Sequence, residues 1–367
     1  MLENWLKPSD IDILLPDELL PYQLGNKIMP YQEAVKDMQK VKIAIIGIGE
    51  ASADTVRAAL YQLSCPFRRT KVADLGNIRK DDVSFIIPVV KELVEGKVIP
   101  LIIGDKKELG KVQFEAYQSF QQQLSMCVVD ETVPFHPRQK EPQFYLNSIV
   151  NKTDSDLFNL SMIGCQSHFV DNNALDALEE LNFECIRLGT ARRHIEELEP
   201  VVRDADFVNF NLSVLKNIEL SAINGGTPSG FFSEEACQIS WYAGMSDKLT
   251  SIGFYGYQKG FGDPLLSAKT AAQLIWYFID GVSNRKNDFP VSTSGLTEYI
   301  VDFKSYNYQL TFWNSQKSNR WWMQIPVKTK KNQKRHRLIP CSYADYQKAC
   351  NEELPDRLWK AQRRFGG

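Results

Sequence analysis

The sequence predicts an α/β fold, a mostly parallel sheet of eight strands covered by helices on both faces, followed by a small α+β extension. Two patterns carry this reading. From Val41 to Phe278, short β-branched runs alternate with segments of helical periodicity, and after Gly281 they give way to short strands separated by polar turns. A third observation locates the functional crevice. Gly47-Ile48-Gly49-Glu50, Ile103-Gly104-Asp105 and Val129-Asp130 each place Gly or Asp at a strand end, where an open α/β sheet binds its ligands.

In chain order, residues 1–40, with Pro16, Pro21 and Pro30, read as an irregular extension wrapping the core. The strands are Val41–Ile48, Thr70–Leu75, Val98–Ile103, Leu124–Asp130, Leu160–Cys165, Phe183–Leu188, Phe207–Leu212 and Leu249–Tyr255. Between them Ser52–Leu63, Asp81–Glu95, Glu108–Gln123, Asn172–Leu181, Arg192–Arg203, Ser233–Ala243 and Leu266–Phe278 are apolar at helical spacing. The domain thus spans 41–284. Residues 285–367 form a separate module: strands Thr297–Phe303, Tyr308–Asn314, Arg320–Val327 and His336–Ser342, then a helical end over Tyr343–Phe365 interrupted at Pro355.

At 367 residues and 43% hydrophobic content the chain can bury a large core. Its longest apolar runs fall far short of the roughly 20 residues of a membrane helix. The mixed charges of residues 1–20 lack the pattern of a signal peptide, so a cytoplasmic location without membrane insertion is expected. Seven scattered cysteines, none in a CxxC pair, predict reduced, buried thiols. The net charge of −2 conceals an asymmetry: from Arg285 onward sixteen Lys and Arg face seven Asp and Glu, a charge of +9 that leaves −11 on the rest.

The segment Val129-Asp130-Glu131-Thr132-Val133-Pro134 and the blocks around it have a recognisable order. Val72-Ala73-Asp74-Leu75-Gly76-Asn77, Pro100-Leu101-Ile102-Ile103-Gly104-Asp105, Gly225-Gly226-Thr227-Pro228-Ser229-Gly230-Phe231-Phe232-Ser233-Glu234-Glu235 and Lys269-Thr270-Ala271-Ala272-Gln273-Leu274 carry it across residues 40–282. In that order and spacing the chain resembles the ureohydrolase superfamily of arginases, agmatinases and formimidoylglutamases, nearest the formimidoylglutamase-like branch. The resemblance implies a three-layer α/β/α arginase-like sandwich and a hydrolase of linear amidines using two Mn²⁺ ions held by two His and four Asp. Carried over position by position, those ligand slots fall on Lys106, Asp130, Thr132, Pro134, Asn211 and Ser213, so only Asp130 retains its type. An ammonium ~4 Å from a divalent ion is unfavourable by roughly 8 kcal/mol at an effective dielectric near 20. The expectation is therefore no metal cofactor, with Lys106 paired to Asp130 as a structural salt bridge.

Other candidates admit two readings. Glu235 falls where the resemblance puts a guanidinium-binding carboxylate, but it is also an ordinary first-turn Glu favoured by the helix dipole. His136 and His168 lie near the crevice as possible ligand contacts, or as loop residues. Neighbours on a strand point to opposite faces, so only one of Asp130 and Glu131 is expected to face the crevice. In the module, Trp321, Trp322, Lys334, Arg335, Arg337 and Trp359 interleave rings with cations, suiting either a self-packed core or a protein partner; nucleic acid is not the expected partner, and an oligomer is compatible. The function these features point to is a catalytically inactive, ureohydrolase-like binding or scaffold protein. The alternatives are an active formimidoylglutamase-like amidinohydrolase and a sensor of a cationic small molecule acting through Asp130, Glu235 or His168.

Overall fold

The computed structural model describes residues 2–120, 123–151, 156–304, 308–325 and 338–366. The strands of the main domain are β1 (Leu6–Lys7), β2 (Ile43–Ile48), β3 (Val72–Ile78), β4 (Ile99–Gly104), β5 (Leu124–Val129), β6 (Leu157–Cys165), β7 (Glu184–Arg187), β8 (Phe207–Asn211) and β9 (Ser251–Tyr255). Among the described residues they form one nine-stranded sheet in the order β1-β3-β2-β4-β9-β8-β5-β6-β7. All eight expected strands are present and parallel to their neighbours. The ninth corrects the expectation for residues 1–40: Leu6 and Lys7 pair antiparallel with Ile78 and Asn77, so the N-terminal segment closes one sheet edge rather than only wrapping the core.

Alternation along the strands divides the core into layers. Ile43 and Ile45 of β2 face one side, with Ala53, Val56 and Leu60 of the helix Glu50–Tyr61 and the apolar faces of Ser233–Met245 and Pro264–Ser283. Ala44, Ile46 and Ile48 face the other, beneath Val83–Glu95. Gly110–Tyr117 and Asn172–Glu180 cover the second half of that face. The expected helix Arg192–Arg203 is two short ones, Leu188–Arg193 and Leu198–Arg203, separated at His194 (φ −133°, ψ 57°).

Cys165 and Cys185 form a disulfide between the neighbouring strands β6 and β7, which corrects the expectation of reduced thiols throughout. The strands are paired side by side, so residues 20 apart in sequence meet. Cys65, Cys127, Cys237, Cys341 and Cys350 are free.

The C-terminal residues form a second, antiparallel sheet of β10 (Leu296–Phe303), β11 (Tyr308–Ser315), β12 (Trp321–Gln324) and β13 (Leu338–Cys341), with helices Tyr343–Cys350 and Asp356–Gly366 on either side of Pro355. Its charge asymmetry with the body is used in docking. Arg203 of the body bonds the carbonyls of Trp321 and Cys341 at 3.1 and 3.2 Å, while its guanidinium lies 4.6 Å from the Trp322 ring. Lys360 pairs with Glu184 at 2.8 Å, Arg357 with Glu197 at 3.5 Å, and Arg320 with Glu199 at 3.3 Å.

Candidate functional site

Strand β5 ends at Val129, one residue earlier than expected, and this single residue changes the site. Asp130 and Glu131 lie past the strand, where the alternation of faces no longer applies, and both carboxylates turn to the same cation. That cation is Lys107, not Lys106. Lys106 is extended (φ −127°, ψ 135°) and exposed, whereas Lys107 opens the short 3₁₀ turn Lys107–Leu109, which swings its side chain inward. Its ammonium lies 2.6 Å from Glu131 Oε1 and 3.3 Å from Asp130 Oδ1. Between β4 and β5 stand β9 and β8, and the Lys107 stem crosses the first of them over Gly256, whose φ of +95° suits glycine.

Three of the remaining slots, Thr132, Asn211 and Ser213, donate to these carboxylates. Thr132 donates to Asp130 Oδ1 from its backbone N–H at 2.9 Å and its hydroxyl at 3.1 Å. Asn211, at the end of β8, donates its amide to Asp130 Oδ2, and Ser213 donates its hydroxyl to Glu131 Oε2. Every oxygen of the two carboxylates thus accepts a bond. Pro134 is buried and only its carbonyl is used, by Leu146 N–H at 3.0 Å.

Asp130 is fully buried and Glu131 5% exposed, so one ammonium serves two desolvated carboxylates. Burial, followed by repulsion from Glu131, pushes Asp130 up to about 7. Burial also acts to raise Glu131, but the Lys107 charge and hydrogen bonds from Asp130, Lys107 and Ser213 hold it below the usual carboxylate range. Burial disfavours the Lys107 charge, yet its two carboxylate partners raise it above an ordinary lysine. The pair is best described as sharing one proton near neutrality.

Glu235 receives both a cation and a capping role. Arg192 Nε bonds its two oxygens at 2.9 and 3.0 Å, and the same carboxylate accepts the Phe232 N–H at 2.9 Å. His136 is structural: Nδ1 accepts from Arg138 and Gln139 N–H, leaving Nε2–H to donate to Asp171 at 3.0 Å. His168 is exposed beside Phe169 and makes no contact with the Lys107 network. Sequence reasoning missed Lys107 and Arg192. The doubled lysine was visible, but nothing in the sequence signalled Arg192, which lies 43 residues from its partner.

In the module, Trp321 and Trp322 are 7% and 2% exposed. Trp321 stacks on Tyr346 at 4.9 Å, and Trp322 meets Arg203 of the body, which removes both from the surface expected to receive a partner. Trp359 remains 51% exposed. Lys334, Arg335 and Arg337 lie outside the described residues.

No family model matches the chain, and no curated protein matches it in sequence. Solved structures do match. Formiminoglutamase of Trypanosoma cruzi with Mn²⁺ superposes with a TM-score of 0.61 over 67% of this chain and 94% of that one, at 14% identity. The fold is that of the ureohydrolases. Formimidoylglutamase from Bacillus subtilis gives 0.60 over 67% and 89%, at 15% identity, and agmatine ureohydrolase of Thermoplasma volcanium 0.56 over 71% and 94%, also at 15%. In the crevice of this fold an ammonium stands among the side chains, and amide and hydroxyl groups donate to the carboxylate oxygens. Among the described residues, no group of three or more His, Cys, Asp or Glu side chains is placed to hold a metal ion.

Proposed function

We propose that this chain is a non-catalytic ureohydrolase-like protein that works as a binding or scaffold component. The observation that supports it is the Lys107 ammonium bridging Asp130 and Glu131, a resident cation where the fold relatives named above include a Mn²⁺-bound enzyme. An ion held by these two carboxylates would compete with the Lys107 ammonium and with the Thr132, Asn211 and Ser213 donors for their oxygens. A cationic sensor acting through Asp130 or Glu235 is less well supported, because each already holds an internal cation, Lys107 or Arg192.

The test is hydrolysis of formimidoylglutamate, agmatine and arginine by the purified full chain with excess Mn²⁺. The proposal expects no turnover above the metal-only control, and expects Lys107→Ala not to create any. Metal-dependent hydrolysis that disappears in Asp130→Asn would establish the rival, an amidinohydrolase.

A further inference from the structure

In the crevice one ammonium serves both carboxylates, but a second pair elsewhere has no cation partner among the described residues. On the outer surface, the helices Ser233–Met245 and Pro264–Ser283 pack so closely at one end that a Cβ on Gly244 would lie 2.2 Å from the Phe278 carbonyl. Towards the start of the first helix they part around a groove of about 380 Å³. Its lining includes Glu234, Cys237, Gln238, Trp241, Tyr277 and Asp280, and no Lys or Arg.

Its chemistry is uniform. Glu234 is exposed and makes no ion pair among the described residues, in contrast to its neighbour Glu235, which Arg192 neutralises. Among the described residues the Asp280 carboxylate accepts only the Trp241 indole N–H, at 2.9 Å, a neutral donor that does not offset its charge and fixes the ring in the wall. Tyr277 is 42% exposed and supplies a second ring. Cys237 is 4% exposed and free, a buried thiol in the wall with no hydrogen-bond partner among the described residues. Two uncompensated carboxylates beside two aromatic rings attract a positive charge on an apolar stem, through Coulomb attraction and through the ring quadrupoles. The volume falls within the range of small-molecule sites.

We propose that this groove binds a small organic cation of the alkylammonium class, with the charged head between Glu234 and Asp280 and the stem against Trp241 and Tyr277. The site lies outside the crevice and stands whether or not the crevice is catalytic. The test is isothermal titration of the full chain with n-butylammonium and tetramethylammonium chloride, with 1-butanol and NaCl as controls at matched ionic strength. Nα-acetyl-lysine amide, which carries the same head on a peptide unit, forms a further arm.

Saturable binding of one cation per chain is expected, with no binding of butanol. Glu234→Gln, at an exposed position with no partner to lose, should weaken it about tenfold, and Trp241→Phe several-fold. Tighter binding of the lysine amide than of butylammonium would assign the site to a lysine side chain; the reverse would assign it to a free amine. No saturable binding of either cation, equal binding of butanol, or unchanged affinity in Glu234→Gln with Asp280→Asn would overturn the proposal.

Discussion

Removing the Lys107 ammonium would leave Asp130 and Glu131 buried side by side without a cation, and breaking a buried pair from one side typically costs about 3–5 kcal/mol. Lys107→Met is therefore expected to lower unfolding stability by about that much. Adding Asp130→Asn and Glu131→Gln should recover most of the loss, as denaturant unfolding of the three variants would show. The pH response follows from Asp130. Its folded-state value near 7 lies above the ordinary carboxylate value of about 3.9, so the folded chain holds a proton that the unfolded chain releases. That contribution is fully present below about pH 4 and is lost as pH rises through 7. Stability should fall between pH 5.5 and 8 in the wild type by a few kcal/mol at most, and the slope should flatten in Asp130→Asn; equal slopes would remove the shared proton from the site. Of these residues the sequence showed Asp130, Asn211 and Ser213 but misassigned the lysine. Counting along a motif assumes that the strand alternation continues, whereas here the extended backbone at Lys106 and the turn at Lys107–Leu109 rotate the next side chain inward.

At the scale of elements, most of the central strands were legible because they are buried on both faces and read as short apolar runs, whereas β7, at the sheet edge, is only partly buried. Strand β1 was not, since two residues carry no periodicity and pair only because Ile78 and Asn77 offer an open edge. The Cys165–Cys185 bond was equally invisible, as it depends on which strands become neighbours. Thiol titration of unreduced, denatured protein should find five free cysteines, and seven would exclude the bond. Gly256 carries a separate prediction. Its left-handed backbone (φ +95°) beneath the Lys107 stem makes Gly256→Ala destabilising by about 1–2 kcal/mol, checked by the shift of the denaturation midpoint.

Across the whole molecule, the opposite charges of the body and the C-terminal residues meet in the ion pairs of Lys360, Arg357 and Arg320 with Glu184, Glu197 and Glu199. Three cations of the module, and Trp322 against Arg203, are thereby used to hold it on the body. Trp359 and the groove at Glu234 and Asp280 remain as surfaces open to a ligand or partner. The fold shared with the ureohydrolases surrounds a crevice whose cation is a lysine. Manganese content after equilibration of the full chain with excess Mn²⁺ and removal of free metal separates a binding protein from an amidinohydrolase most directly. Lys107 in place predicts far less than one equivalent per chain, in the wild type and in Asp130→Asn alike. Two equivalents bound by the wild type and lost in Asp130→Asn would contradict it.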